Sequence, residues 1–98
     1  MNIKKKTNES EMIMYISGRM DTSTAPQFEA EIKSSLDGIS KLVLDFENLE
    51  YVSSAGLRVI LAAQKIMNKQ GEMIIKNVSE VVYEVFEITG FVDILTIE

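Results

Sequence analysis

A chain of 98 residues is long enough for one domain and too short for two. It has no cysteine and no histidine, which excludes disulfides, thiol catalysis, a His-based hydrolase triad and Cys- or His-ligated metal sites. The net charge of -5 disfavours nucleic acid as a direct partner, because phosphate groups repel an acidic surface. There is no membrane-span pattern and no signal peptide at the start, so we expect a cytoplasmic protein that uses no cofactor, metal or membrane.

The first predicted element is an antiparallel hairpin at one edge of a sheet. Alternating strand formers in Met12–Ile16 indicate one strand, and residues 2–7 supply its partner across a turn at Asn8–Glu11. The adjacent lysines Lys4–Lys6 are typical of a solvated strand edge and need no functional explanation.

A helix is predicted near residues 24–36. Thr24 and Gln27 have the spacing of a capping box, and Pro26 suits the first helical turn. Apolar residues then recur every four positions and form one stripe for the core: Phe28, Ile32 and Leu36.

The middle of the chain predicts a buried strand followed by a second helix. Lys41–Phe46 is apolar on both faces, as in an interior parallel strand, and residues 47–52 are interpreted as its continuation. The helix is expected near residues 55–69. Its expected buried face consists of large apolar residues: Leu57, Ile60, Leu61, Ile66 and Met67.

The last third predicts strand, helix and strand. Glu72–Lys76 is a further interior strand, Asn77 is the expected cap of a helix near residues 79–88, and Phe91–Ile97 is the expected final strand. Alternating strands and helices imply parallel pairing. We therefore expect residues 1–98 to form a single α/β domain with a mixed sheet of about five strands packed against helices.

The segment Ser53–Leu57 lies between a strand-like stretch and a helix, where sites gather in open α/β sheets. In one interpretation a serine caps the helix and Gly56 permits a close backbone approach. In the other, Ser54 is a phosphorylation site. The free N–H groups and partial positive charge of a helix N-terminus would accommodate a phosphate there.

A second polar segment, Gly18–Ser23, follows the first long strand. Asp21 either caps a turn or helix start, or orients a partner or a phosphoryl donor beside Ser54, which requires the two loops to be neighbours at one end of the sheet. We expect Arg58 to be exposed there and Leu57 to be partly exposed. The predicted partner-binding surface comprises Asp21, Thr22, Ser23, Ser53, Ser54, Gly56, Leu57 and Arg58.

Three colinear stretches carry a resemblance to a known family: GRMDTSTAPQFE, KLVLDFENLEYVSSAGLRVILAAQK and GEMIIKNVSEVVYEVFEITGFVDIL. Together they resemble the STAS domain and, more narrowly, the bacterial anti-sigma-factor antagonists. The resemblance implies a partner switch. Such an antagonist binds an anti-sigma factor that is also a serine kinase, and a sigma factor is thereby freed. The antagonist dissociates from the anti-sigma factor when it is phosphorylated. A serine phosphatase removes the phosphate and restores binding.

The resemblance places Ser54 at the phosphoacceptor position and matches Gly56 and Leu57 to the tail of the motif. Asp21 matches the acidic residue of the early loop. The sequence departs from the family pattern at two positions, since Ser53 stands where many antagonists have Asp and Ala55 replaces a second hydroxyl residue. Ser53 is therefore the reserve acceptor.

Two other functions remain open at this point. The chain is alternatively a STAS signalling module that binds a non-sigma partner or a small ligand, which the sequence does not separate from sigma control. An enzyme with Ser54 as nucleophile is disfavoured, because the chain has no histidine base and no G-x-S-x-G elbow. We expect no catalytic activity.

Overall fold

Five strands, three helices and one 3₁₀ turn make up the chain, as described for all 98 residues by a computed structural model. Their bounds in chain order are β1 (Asn2–Asn8), β2 (Glu11–Met20), α1 (Ala25–Ser35), β3 (Lys41–Asp45), β4 (Leu49–Val52), α2 (Ser54–Gln70), β5 (Glu72–Lys76), α3 (Glu80–Ile88) and the 3₁₀ turn (Phe91–Asp93). Even the longest helix, α2, lacks the length and apolar character that crossing a membrane requires.

The sheet is mixed, and the long strand β2 organises it. β1 pairs with β2 antiparallel, whereas β3 pairs with β2 and β5 with β3 in parallel. β3 pairs with β2 only as far as Tyr15, and β4 pairs in parallel with the last three residues of β2, from Gly18 beside Leu49 to Met20 beside Val52. The loops that follow β2 and β4 therefore leave the sheet side by side.

The core lies between one face of the sheet and the helices. In β2, Met12, Met14 and Ile16 are buried, whereas the alternating Tyr15 is exposed, as the period of a strand requires. The helices complete the same cluster with residues that include Phe28, Ile32, Ile60, Met67, Val82 and Phe86. The structure thus confirms the predicted α/β class, the hairpin and the three helices.

The predicted final strand at Phe91–Ile97 is wrong. Gly90 adopts a left-handed conformation (φ 79°), and the chain coils into the 3₁₀ turn, with the Ile94 amide donating to the Phe91 carbonyl at 3.0 Å. Ile97 alone forms a bridge, to Ile75 of β5. Burial of Leu95 in the core from this coiled path outweighs the strand preference of the segment.

The prediction that residues 47–52 continue β3 is wrong. The Leu49 amide donates to the Phe46 carbonyl at 3.0 Å, and this turn separates β3 from an independent strand, β4. β4 supplies the fifth strand that the sequence assigned to the C-terminal segment. The prediction of about five strands is right in number, but one of the five is misplaced.

The predicted cap of α3 is also wrong. Ser79 caps the helix by accepting a hydrogen bond from the Val82 amide at 3.3 Å. Asn77 instead takes a left-handed conformation (φ 59°), and its side-chain amide donates to Asp45 at 3.1 Å. Both residue types are favoured caps, so type and spacing alone did not distinguish them.

The buried face of α2 differs in detail from the prediction. Leu57, Ile60 and Met67 are buried as expected, and Leu61 and Ile66 are only half-buried. The face also includes the buried Ala63, whose small side chain was expected to allow close approach, and two buried residues that were not predicted to contribute, Val59 and Gln64.

Candidate functional site

The start of α2 is fixed by Ser53. Its hydroxyl oxygen accepts a hydrogen bond from the Gly56 amide at 3.3 Å, and its carbonyl accepts one from the Leu57 amide at 2.9 Å. The Ser53 amide donates to the carbonyl of Met20, at the end of β2, at 2.8 Å. Ser53 is therefore the N-cap, and the same residue ties the loop before α2 to the end of β2.

Ser54 is the first helical residue of α2, and it is exposed whereas Ser53 is half-buried. The first turn of α2 contains no acidic residue, so no side-chain charge there offsets the positive end of its helix dipole. Arg58, also exposed, lies four residues on and therefore shares a helix face with Ser54. Ser54 and Arg58 are therefore exposed together at the positive end of the helix dipole of α2.

The segment before α1 is organised around the carboxylate of Asp21. Its Oδ1 accepts hydrogen bonds from the Ser23 hydroxyl at 2.8 Å, the Ser23 amide at 3.0 Å and the Thr24 amide at 3.1 Å. The Ser23 hydroxyl has the largest part in holding the pKa of Asp21 below its usual value, and the backbone amides add to it. Asp21 thus caps the turn, the first of its two predicted roles.

The capping box predicted for α1 does not form. Thr24 occupies the N-cap position, but its side chain makes no capping bond. Its hydroxyl donates to the Arg19 carbonyl at 2.8 Å and accepts from the Asp21 amide at 2.9 Å, because the tight turn folds the side chain back over the end of β2. Pro26 does lie in the first turn, as predicted.

A shallow groove of about 200 Å³ lies between the first turns of α1 and α2. Its lining comprises Thr22, Ala25, Pro26 and Glu29 on one side and Ala55, Arg58 and Val59 on the other. The structure therefore brings Thr22, in the loop before α1, to the same groove as Arg58 of α2. Pro26 and Glu29 were not predicted to contribute, although Glu29 lies four residues after Ala25 and three after Pro26, on the same side of α1.

The remaining predicted residues divide by exposure. Thr22, Ser23, Ser54 and Arg58 are exposed and available for contact. Gly56 and Leu57 are buried, so the expectation that Leu57 is partly exposed is wrong. Its side chain is drawn into the core cluster at the start of the helix.

An aromatic contact borders this surface. The guanidinium carbon of Arg19, near the end of β2, lies 4.5 Å from the ring centroid of Tyr51 on β4. The two residues are register partners, so the pair spans the two strands whose following loops form the site. No pattern in the sequence predicts this pair, because it depends on the pairing of β4 with β2.

The sequence of this chain was compared with models of known protein families. The sequence profile of the STAS domain matches residues 2–98. The chain belongs to the STAS domain family. This confirms the resemblance recognised from the sequence.

Two relatives of this STAS domain are named for the same role. BtrV of Bordetella bronchiseptica, named as a candidate anti-sigma factor antagonist, is 40% identical over 88 residues, or 88% of this chain and 76% of BtrV. The anti-sigma-B factor antagonist of Bacillus subtilis is 30% identical over 98 residues, or 99% of this chain and 90% of the relative. Both names describe antagonism of a regulatory factor and neither describes catalysis.

Solved structures share the fold. The anti-sigma factor antagonist SpoIIAA in its unphosphorylated form superposes with a TM-score of 0.85 at 19% identity, covering 99% of this chain and 88% of SpoIIAA. An anti-sigma factor antagonist from Mycobacterium paratuberculosis gives a TM-score of 0.88 at 21% identity, with coverage of 98% and 83%. These likenesses confirm the predicted α/β architecture.

Proposed function

We propose that this STAS domain is a phosphorylation-controlled anti-sigma factor antagonist. Unphosphorylated, it binds an anti-sigma factor that has serine kinase activity, and a sigma factor is thereby released. Phosphorylation of Ser54 ends the complex, and a serine phosphatase reverses the modification. The observation that carries the proposal is an exposed serine at the positive end of α2, within a chain whose relatives are named anti-sigma factor antagonists.

The geometry favours Ser54 over Ser53 as the acceptor. The Ser53 hydroxyl oxygen already accepts the Gly56 amide, and the residue is half-buried. A phosphate on Ser53 would disrupt the N-cap, whereas the exposed Ser54 side chain takes no part in the cap. Ser is itself a favoured N-cap, so Ser53 keeps the helix start intact even though it replaces the Asp of the family motif.

A phosphate on Ser54 would alter the surface and leave the fold in place. It adds about -1.5 to -2 charge at neutral pH. The helix dipole and Arg58, one turn away, favour that charge locally. A partner that contacts Arg58 and the N-terminal end of α2 would then meet added negative charge. A loss of about 3 kcal/mol in the complex corresponds to more than a hundredfold weaker binding.

The partner surface is proposed to have contacting residues and supporting residues. Thr22, Ser23, Ser54 and Arg58 are exposed and make the contacts. A second set positions them: Asp21 holds its turn, Ser53 fixes the helix start, and Gly56 and Leu57 pack α2 onto the core.

The test begins with co-purification from the native cell and mass spectrometry of the captured proteins and of the phosphosites. The captured kinase is then incubated with ATP and the wild-type, Ser54→Ala or Ser53→Ala chain, and its affinity for each is titrated. We expect phosphate on Ser54, loss of binding after phosphorylation, and constitutive binding by Ser54→Ala. Phosphate on Ser54 with undiminished affinity would refute the switch. Capture of a partner that is not an anti-sigma factor would favour the alternative STAS signalling module.

A further inference from the structure

Helix α3 exposes an apolar flank in addition to the face that it buries. Val82 and Phe86 are fully buried, yet Val81 is 56% exposed and Ile88 is 82% exposed. Val81 and Ile88 are seven residues apart, with the half-buried Val85 between them, so all three form one stripe along the helix. Ile94, just beyond the helix, is 50% exposed.

The same part of the chain carries the whole net charge. Residues 77–98 contain five acidic residues and no lysine or arginine, a charge of -5. The other residues contain the remaining ten acidic residues and all ten basic ones, so their charges cancel. The three α3 carboxylates, Glu80, Glu84 and Glu87, are exposed, and none forms an ion pair, because the two pairs in the chain are Lys5–Glu31 and Lys33–Glu29.

The exposed acidic and apolar side chains of α3 add little to the stability of the fold. Glu80 lies in the first turn of α3, where the helix dipole favours an acidic residue, but Glu84 is a like charge four residues further on that repels it. Glu87 lies in the last turn, at the negative end of the helix dipole, and the turn has no basic residue to offset it. Ile88 gains almost nothing from burial. These features disfavour an isolated α3, and all of them become favourable against a basic, apolar partner.

We propose that the α3 face formed by Val81, Glu84, Val85, Glu87 and Ile88 is a second docking site, and that it binds a basic amphipathic helix of a partner protein. Apolar side chains of that helix would cover the stripe, while flanking lysines or arginines pair with the carboxylates. A shallow depression of about 400 Å³ across Glu80, Tyr83 and Glu87 gives room for such side chains. The charge disfavours nucleic acid and anionic membranes.

This docking site is separate from the Ser54 surface. The groove beside Ser54 is lined by residues of α1, α2 and the loop before α1, and α3 contributes none of them. Occupation of the α3 face therefore does not depend on the phosphorylation state of Ser54, and failure of either proposal leaves the other standing.

The probe is a fluorescent synthetic peptide of about 18 residues that forms a lysine-rich amphipathic helix with leucines at positions i, i+4 and i+7. The matched control peptide has glutamate in place of every lysine. Binding to the full chain is titrated by anisotropy at low and at physiological salt, and amide shifts of the chain locate the site. We expect binding by the lysine peptide alone, weakened by salt, with the shifts within residues 80–95.

Variants of the chain sharpen the test. Ile88→Ser and Glu84→Lys should each raise Kd about tenfold or more. Tyr15→Ser removes an exposed large hydrophobic on β2, and Glu72→Lys reverses an exposed charge on β5, and both should change Kd less than about twofold. No binding of the lysine peptide, equal binding of the glutamate peptide, or shifts centred on residues 53–58 would overturn the proposal. So would concentration-dependent self-association that Ile88→Ser abolishes, because the occupant would then be a second copy of this chain.

Discussion

The α carbon of Gly56 approaches the side chain of Met20 so closely that a Cβ at position 56 would stand 2.7 Å from Met20 Cγ and 2.8 Å from its sulfur. Met20 is fully buried at the end of β2, and Gly56 lies in the first turn of α2. The distance between the two loops of the site is therefore set by the absence of one methyl group.

Substituting Gly56 by alanine should destabilise the fold by about 1–2 kcal/mol, because overpacking against Met20 outweighs the gain in helix propensity. Met20→Ala should cost about 2–5 kcal/mol through the cavity that it leaves. The double variant should lose less stability than the sum of the two single losses, because alanine at position 20 leaves room for the methyl group added at position 56. Urea unfolding of all four proteins measures the coupling, and additivity within about 0.5 kcal/mol would contradict the contact.

Alanine substitution should lower stability at Ser53 but not at Ser54, the two serines at the start of α2. Ser53→Ala should lower the free energy of unfolding by about 0.5–2 kcal/mol because it removes the N-cap, whereas Ser53→Asp should retain the cap. Ser54→Ala should leave stability nearly unchanged, since the residue is exposed and does not cap. Thermal unfolding distinguishes them, and a larger loss at Ser54 than at Ser53 would place the cap one residue later.

The carboxylate of Asp21 should make stability depend on acidity. Hydrogen bonds from Ser23 and Thr24 lower its pKa in the folded chain. Its contribution is therefore fully present above the unfolded pKa of about 4 and is lost as the pH falls through the lower folded value. The stability difference between wild type and Asp21→Asn, measured by urea unfolding, should shrink as the pH falls below about 4. An equal difference at pH 7 and pH 2 would contradict this assignment.

Charge reversal at Arg58 should weaken binding of the anti-sigma factor proposed as partner without lowering the melting temperature. The residue is exposed beside Ser54, so its loss affects the surface and not the core. Lys65→Glu is the matched control, because Lys65 is exposed two turns further along the same helix. We expect a loss of about tenfold or more at Arg58 and little change at Lys65. Equal effects would indicate long-range attraction rather than contact.

Gln64 should be replaceable with a gain in stability. It is the one buried polar side chain, and its Oε1 has no hydrogen-bond partner, although its Nε2 donates to Asn68 at 2.8 Å. Gln64→Met keeps the shape and removes the unsatisfied acceptor, so stability should rise by up to about 1 kcal/mol. A loss of more than about 1 kcal/mol in Gln64→Met would show that the Gln64 side-chain amide has hydrogen-bond partners in solution. Asn68→Ala tests whether the hydrogen bond from Gln64 to Asn68 contributes to stability.

Local patterns in the sequence were sufficient for much of this structure. The apolar stripe of Phe28 and Ile32 predicted α1, and the continuous apolar run at Lys41–Phe46 predicted an interior strand. Ser54 and Asp21 stood out because polar residues at strand-to-helix junctions collect at one end of a parallel sheet. These inferences depend only on periodicity and on connectivity.

The errors arise where non-local contacts decide the structure. Phe91–Ile97 has strand-forming residues, but burial of Leu95 and the turn at Gly90 direct it into a coil. The pairing of β4 with β2, which brings Ser53 to the Met20 carbonyl, depends on the bulge between Gly18 and Arg19. No short window of sequence contains both partners of such a contact.

The two ends of the strand series β1-β2-β3-β5 are protected from other chains in different ways. At β1, the exposed and unpaired Lys4 and Lys6 repel the approach of an identical strand. At β5, the last residues run alongside: Ile75 donates to the Thr96 carbonyl at 2.9 Å, and the Glu98 amide donates to the Ile75 carbonyl at 2.9 Å. The segment that fails to become a strand thus uses up the hydrogen-bonding groups of Ile75. Removing residues 96–98 would expose the hydrophobic edge of β5 at Ile75, and we expect the shortened domain to aggregate.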